Sequence, residues 1–421
     1  MPRASFIAAS FLLFTSSVIV TASGCHIVAG IEEKTLGEPG PPEPGALLCG
    51  PGAPANPACA MNTCDVSTSK VANECNCGVC GRDCGGMGCE ASRCLVGTMA
   101  SVSKFAYGVA TNGKAVFFSA FEDTGNGIFH TNIYRVEFDG TPGNSWQSLA
   151  DFQGRVFALA ADCENVYFAI DNGSGPPTIR YVSADAKDAV PMDFVSGLVA
   201  EAVDAIAVDG EFVYWVANAG DAGVKAWRKG GAVETVVNGT SGNIITGLAI
   251  RDGYVYWASQ SGMPMDGKIS RAKIPAKGVA WNPETVKNNA GRPQGLAVDD
   301  DSVYWVDLNA VGQMPRLRKA SREFSLIPDI PLANVQMPQP PNFPATWLAV
   351  DDEYVYFIDL PGSGGAIIAR SKKIIASKEV IADNQNSAEA FSAHALVADG
   401  ERVYFSAPAS GSDSRIMWVS K

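Results

Sequence analysis

Seven side chains suited to binding or polarising a ligand occupy one repeated position in this sequence. Each stands two residues before the Leu, Ile or Val that centres an apolar run, and the series is Tyr107, Phe157, Asp204, Thr246, Gln294, Thr346 and His394. Loops held by a rigid scaffold commonly carry binding sites. We therefore predict a ligand-binding face made by Glu201, Asp204, Thr246, Arg292, Gln294, Thr346 and His394. The alternative is that these side chains only line and solvate an entrance.

Catalytic chemistry has little support in the sequence. The chain contains three histidines, His26, His130 and His394. A hydrolytic metal site needs several carboxylate or amide ligands converging on one ion, and the series above offers too few. A serine triad needs Ser, His and an acid in one pocket, but the sequence has no Gly-x-Ser-x-Gly elbow leading into a helix. We predict no catalytic residue and no resident cofactor.

Six aspartates lie in the loops that follow the apolar runs: Asp123, Asp171, Asp221, Asp307, Asp359 and Asp413. Calcium binds carboxylate oxygens, so calcium in one or two of these loops is an alternative to be tested. The favoured interpretation is that they are acidic turn and capping residues on solvated loops.

The elements that position these residues repeat along the chain. In the clearest copy, two apolar runs, Leu296 to Val298 and Val303 to Val306, flank an acidic turn. Short β-branched and aromatic runs joined by a turn are typical of a β-hairpin. The aromatic residue of the second run recurs every 42 to 52 residues, as Phe117, Tyr167, Tyr214, Tyr256, Tyr304, Tyr356 and Tyr404. This period is typical of four-stranded propeller blades, so the sequence predicts an all-β fold, a seven-bladed β-propeller over residues 95–421.

The ring must be closed by a strand from outside the last repeat. Most hairpins are followed by a third strand with a basic residue and by a weaker fourth strand, placed in blade 5 at Phe324 to Ile327. In the last blade the chain ends at the third strand. We predict that residues 95–100 pair with this C-terminal blade, because closure removes exposed edges.

The N-terminus has the features of an exported chain. Arg3 precedes an apolar run from Phe6 to Val20, so residues 1–24 are predicted to be a signal peptide. The end of this segment, Ala22-Ser23-Gly24-Cys25, resembles the bacterial lipobox, which implies lipidation of Cys25. Residues 25–48, rich in Pro, Gly and Glu, are expected to form an extended linker. The lipobox resemblance implies attachment to the bacterial outer membrane or cell surface; without lipidation the protein would be periplasmic or secreted.

Residues 49–94 form a cysteine-rich segment. Its nine cysteines are Cys49, Cys59, Cys64, Cys75, Cys77, Cys80, Cys84, Cys89 and Cys94. In an exported chain this density predicts a small disulfide-rich module; a zinc site at Cys77 and Cys80 is a weaker alternative because the segment has no His. Cys163 makes the number even, so we predict that it is bridged to the module. The alternatives are a free thiol at Cys163 or a spare cysteine in the module.

Two resemblances accompany these patterns. The run from Asn76 to Cys84 resembles the cysteine modules that precede propellers in bacterial cell-surface lipoproteins. The repeats ending at Trp215, Asp307 and Asp359 resemble propellers of the YWTD and NHL types, although the Thr of the first motif is missing. Both resemblances imply location and fold rather than a ligand.

The functional expectation is a non-enzymatic cell-envelope lipoprotein. Its propeller is expected to bind a protein, peptide or carbohydrate at the channel mouth, as a monomer that meets the membrane only through its lipid. The net charge of −12 argues against nucleic acid as a partner. The alternatives are a propeller-type hydrolase or lyase with a metal in the central channel, and a structural envelope platform.

Overall fold

The computed structural model describes residues 84, 89–90, 93–125, 127–138, 146–171, 177–195, 203–218, 223–239, 243–260, 266–308, 314–323, 328–336, 347–360, 366–383, 393–408 and 414–421. The chain divides into two compact units, residues 1–41 and 42–421, and all described residues belong to the second. Within the described residues, no helix long and apolar enough to cross a membrane is present.

The fold is a seven-bladed β-propeller, as the sequence predicts. A two-stranded hairpin of β1 (Cys89–Glu90) and β2 (Arg93–Cys94) precedes β3 (Gly97–Val102). Blade 1 contains β4 (Phe105–Thr111), β5 (Ala115–Asp123), β6 (Phe129–Glu137) and β7 (Trp146–Gln153). Blade 2 contains β8 (Arg155–Ala161), β9 (Asn165–Asp171), β10 (Thr178–Ser183) and β11 (Met192–Val195). Blade 3 contains β12 (Val203–Val208), β13 (Phe212–Ala217), β14 (Gly223–Arg228) and β15 (Val233–Asn238).

The remaining blades repeat this order. Blade 4 contains β16 (Ile244–Arg251), β17 (Tyr254–Gln260), β18 (Lys268–Lys273) and β19 (Pro283–Lys287). Blade 5 contains β20 (Pro293–Val298), β21 (Ser302–Asp307), β22 (Arg316–Ser321) and β23 (Ile330–Asn334). Blade 6 contains β24 (Leu348–Val350), β25 (Tyr354–Asp359), β26 (Ile367–Lys372) and β27 (Glu379–Ala382). Blade 7 contains β28 (Leu396–Ala398), β29 (Arg402–Pro408) and β30 (Ser414–Ser420) from the C-terminus.

The fourth strand of blade 7 is β3, from the N-terminal side of the propeller. This sheet has the order β28, β29, β30, β3, and β3 pairs with β30 in antiparallel register from Gly97 opposite Trp418 to Val102 opposite Ser414. Gly97 is required at this contact, because a Cβ there would overlap the indole of Trp418. The two ends of the propeller are therefore held by one strand pairing.

Consecutive apolar residues in each second strand arise because both faces of a blade are covered. In β21, Tyr304 and Val306 pack with Leu348 and Phe357 of blade 6, whereas Trp305 packs with Tyr256 of blade 4. Successive side chains of a strand point to opposite faces, so one strand contributes to two interfaces. Tyr304 and Trp305 are fully buried blade-packing residues.

A hydrogen-bonded contact, here called the latch, recurs at the turns between first and second strands. In five blades the turn carboxylate accepts a hydrogen bond from the tyrosine hydroxyl five residues later. The pairs are Asp162 and Tyr167, Asp209 and Tyr214, Asp299 and Tyr304, Asp351 and Tyr356, and Asp399 and Tyr404. In three of them a lysine of the following blade also pairs with the carboxylate: Lys229 with Asp162, Lys373 with Asp299 and Lys421 with Asp351.

Two sequence expectations need revision. The fourth strand of blade 5, predicted at Phe324 to Ile327, is found at Ile330–Asn334. Pro331 argued against a strand there, but an outermost strand leaves one edge unpaired and tolerates proline. Cys163 is disulfide-bonded, so a free thiol there is wrong. Cys84 is bonded to Cys94. The structure does not describe Cys25 or the bonding of the other cysteines that were predicted to form bridges.

Candidate functional site

The predicted site residues are aimed by irregularities in the innermost strands. The pairing register shifts between Ala106 and Val109 in β4, and between Val156 and Leu159 in β8. Comparable shifts occur in β12, β16 and β20 at the matching place. A bulge re-aims a side chain and is common beside binding sites. Five inner strands therefore interrupt the regular alternation of side chains at this place.

One predicted site residue, His394, forms a continuous aromatic contact with Tyr107 and Phe157, two other members of the repeated series, across blades 7, 1 and 2. The ring of Tyr107 lies 5.0 Å from that of His394 and 5.0 Å from that of Phe157, both edge-on. Edge-on contacts at this separation are favourable beyond the area that they bury. We call Tyr107, Phe157 and His394 the aromatic half of the predicted channel mouth.

Further aromatic residues that sequence reasoning missed extend this half outward. Phe121 lies 6.1 Å from Phe157 and 5.8 Å from Phe129, and Phe105 lies 6.1 Å from Phe121. The guanidinium of Arg155 lies over the rings of Phe129 and Phe157, 4.6 and 5.1 Å from their centroids. Phe121 lies near the end of β5 and Phe129 begins β6. At such positions the sequence alone would suggest that an aromatic residue belongs to the core. Only their pairing across the loop between β5 and β6 brings them to the mouth.

Buried serine hydroxyls fix the aromatic half in place. Ser406 accepts a hydrogen bond from the backbone N–H of His394 at its carbonyl oxygen, 3.2 Å away. Its hydroxyl donates to the carbonyl of Tyr107 at 2.7 Å. In the next blade, Ser119 donates from its hydroxyl to the carbonyl of Val156, directly before Phe157, at 3.1 Å. Second-strand serines thus hold His394, Tyr107 and Phe157 relative to one another.

The predicted polar residues Asp204 and Thr246 take part in hydrogen bonds that connect neighbouring blades. Asp204 accepts a hydrogen bond from Asn218, whose side chain also bonds both the N–H and the carbonyl of Ile245. The buried hydroxyl of Thr246 donates to the carbonyl of Pro293 at 2.6 Å, next to Gln294. These groups hold successive inner strands together. Glu201 and Thr346 lie outside the described residues.

Arg292 is positioned by a buried carboxylate. Asp307 accepts a hydrogen bond from the N–H of Arg292 at 3.0 Å and pairs with Nε of Arg318 at 2.8 Å. Gly291, with φ of 74°, is required here because a Cβ would overlap the Asp307 carboxylate. The tight turn at Gly291 therefore sets the start of β20.

The variant Gly291→Ala is expected to lower the free energy of unfolding by about 2 kcal/mol more than Gly253→Ala. Both glycines have left-handed φ and share a strain of about 1 kcal/mol, but no atom lies within 4 Å of a Cβ at Gly253. Urea denaturation followed by tryptophan fluorescence measures both variants. If both variants lose the same free energy of unfolding, the Asp307 side chain can move away from the new Cβ without strain.

Burial sets the protonation of the two polar members of the aromatic half. It lowers the pKa of His394, so the imidazole is neutral at pH 7. It raises the pKa of Tyr107, so the phenol keeps its proton. A neutral imidazole accepts a proton and a phenol donates a hydrogen bond. The pair combines a proton acceptor with a hydrogen-bond donor.

The aspartates proposed for calcium are engaged with the protein itself where they are described. Asp171 pairs with Arg155 at 2.5 Å, and Asp359 pairs with Lys378 and accepts from the N–H of Gln336. Asp123 accepts from the N–H of Gly125. Among the described residues, no group of three or more His, Cys, Asp or Glu side chains is arranged to hold a metal ion. Asp221 and Asp413 lie outside them.

Comparison with known proteins gives structural likenesses. No protein-family model and no curated protein matches the chain. A puromycin-hydrolyzing peptidase of Mycobacterium tuberculosis is 15% identical over 72% of this chain and 49% of its own, with a TM-score of 0.50. The β-propeller domain of the Trilobed protease from Pyrococcus furiosus is 9% identical over 76% of this chain and 96% of its own, with a TM-score of 0.51. YCF48 bound to D1 peptide is 9% identical over 77% and 95%, with a TM-score of 0.48.

These likenesses agree with the β-propeller fold. They contradict the expectation of a non-enzymatic binding protein, because two of the structures that this chain resembles are a puromycin-hydrolyzing peptidase and the β-propeller domain of a protease. The chain spans about half the length of the mycobacterial peptidase.

Proposed function

We propose that this protein hydrolyses peptides at the aromatic half of its channel mouth. The observation that carries the proposal is the contact between His394 and Tyr107, which Ser406 holds from both sides. Their environment keeps the imidazole free of a proton and the phenol protonated. The aromatic rings around them supply apolar surface for a peptide.

In the proposed reaction His394 acts as general base. It accepts a proton from water as the water oxygen bonds to the peptide carbonyl carbon. The phenol of Tyr107 donates a hydrogen bond to the carbonyl oxygen, which becomes negative in the tetrahedral intermediate. The C–N bond then breaks, and the proton passes from His394 to the leaving amine. One water is consumed, and one carboxyl and one amino terminus are formed.

His394→Gln is expected to lower peptide cleavage by at least about 100-fold, because general-base catalysis contributes that much or more. Activity of the wild type should fall as the pH drops through the lowered pKa of His394, since protonation removes the base. The assay incubates the full chain with a mixture of synthetic peptides and counts new termini by mass spectrometry.

The matched control is His130→Gln, which removes the other described histidine, a half-exposed residue 3.7 Å from Asp151. It should leave cleavage unchanged. A wild type that forms no new termini above the blank would refute the proposal. So would a His394→Gln variant with full activity.

A further inference from the structure

We propose that the peptide carries a basic side chain, which binds on an aromatic patch made by Phe105, Phe121, Phe129 and Phe157 beside His394. This inference rests on the proposed function and deepens it by naming the substrate class.

The structure already contains the chemistry of this recognition within the chain. The guanidinium of Arg155 lies over the faces of Phe129 and Phe157, and Asp171 neutralises it at 2.5 Å. Cations bind aromatic faces because the ring quadrupole is negative there. The chain thus already holds one cation on the inner rings of the patch, which shows that these rings can bind a guanidinium.

The outer part of the patch remains accessible. Phe105 is 49% exposed, although it pairs with Phe121 across β4 and β5. Phe121 and Tyr107 are only partly buried and lie 6.4 Å apart. Arg155 covers the inner rings, so an incoming side chain meets Phe105 and Phe121 first. The patch offers aromatic surface between the solvent and His394.

The charge around the patch favours a cation over an anion. Four carboxylates, Glu122, Asp123, Asp151 and Asp171, lie at the ends of β5, β7 and β9 that border it. Two permanent cations accompany them, Lys104 paired with Glu122 at 2.9 Å and Arg155 paired with Asp171. These six groups have a net charge of −2, and the whole chain has a net charge of −12. An acidic peptide would be repelled, and a purely apolar one would gain nothing from this field.

The test measures equilibrium binding, so that it does not depend on cleavage. Dye-labelled peptides that differ only in a central arginine or citrulline are titrated with the full-length His394→Gln variant, and anisotropy is recorded. Citrulline keeps the shape of arginine but has no charge. The arginine peptide is expected to bind about tenfold more tightly.

Phe105→Ala, added to that variant, should weaken binding of the arginine peptide about fivefold and leave the citrulline peptide almost unchanged. Trp146→Ala is the matched control: Trp146 is 39% exposed and pairs with Val136 at the end of β6 away from Phe129. It should change neither affinity.

The outcomes separate this inference from the proposed function. Equal affinities for the two peptides, or no effect of Phe105→Ala, would overturn the substrate class even if the wild type cleaves peptides. A clear preference for arginine with no cleavage by the wild type would refute hydrolysis and leave the cation site standing.

Discussion

Deletion of β3 is expected to abolish the cooperative unfolding of the propeller. This strand supplies the outer edge of blade 7 and buries Met99, Ala100 and Val102 against the two blades that meet there. Loss of two large apolar side chains and a strand ladder removes on the order of 5 kcal/mol. A whole domain is stabilised by about 5–15 kcal/mol. The deletion also leaves β30 as an unpaired edge, which promotes association.

Differential scanning calorimetry of the full chain and of the chain lacking residues 97–102 measures this effect. The wild type should unfold in one transition, and the deletion variant should show a broadened, lower transition with larger species by ultracentrifugation. Ser101→Ala is the control, because this exposed side chain lies on the same strand but leaves the ladder intact. An unchanged sharp transition in the deletion variant would show that the ring does not depend on β3.

The number of blades could be predicted from the sequence because each second strand is buried on both faces. A strand such as β21 must be apolar at consecutive positions, and this signal recurs with the blade period. In blade 7 the outer strand is β3, which pairs with β30. Outer strands gave weaker signals: β23 has a proline and exposed positions, and its place was wrongly predicted. Half-exposed edges constrain composition too little to locate them.

The candidate functional site was harder to predict from the sequence than the fold. The repeat gave the positions of Tyr107, Phe157 and His394, but bulges beside Tyr107 and Phe157 alter the strands there and have no sequence signature. Arg155, Phe121 and Phe129 come from a first strand, a second strand and a third strand of two blades, and only tertiary structure brings them together. The side chains of Asp204 and Thr246 were predicted to face a ligand; the structure shows their hydrogen bonds to Asn218 and to the carbonyl of Pro293.

The interblade latch makes two chemically similar aspartates respond in opposite ways to the same substitution. Burial raises the pKa of Asp299, but hydrogen bonds from Lys373 and Tyr304 outweigh it, and the pKa is lowered overall. For Asp209 burial dominates, and its pKa is raised despite the bond from Tyr214. Asp299 is therefore stabilised in its charged form by folding, whereas Asp209 is destabilised in that form.

Asp299→Asn is expected to lower the free energy of unfolding by about 3 kcal/mol at pH 7. The amide oxygen still accepts from the backbone N–H groups of the turn, but Lys373, only 13% exposed, loses its charged partner. Asp209→Asn keeps the same turn. Lys229 and Arg228 act on the Asp209 carboxylate, but their attraction does not outweigh its burial, so this substitution should be neutral or slightly stabilising. Urea denaturation of both variants across a range of pH makes the comparison.

The pH dependence has a definite sign. A carboxylate whose folded pKa is lowered contributes stability above the ordinary aspartate pKa of about 3.9, and that contribution disappears as the pH falls through the folded value. The gap between wild type and Asp299→Asn should therefore be full at pH 7, shrink below about pH 4 and vanish in stronger acid. For Asp209 the sign is reversed, because protonation through its raised pKa relieves an unfavourable buried charge, and any advantage of the Asn variant should shrink as the pH falls. Losses of equal size for the two variants at pH 7 would show that turn capping, and not the lysine of the next blade, stabilises this interface.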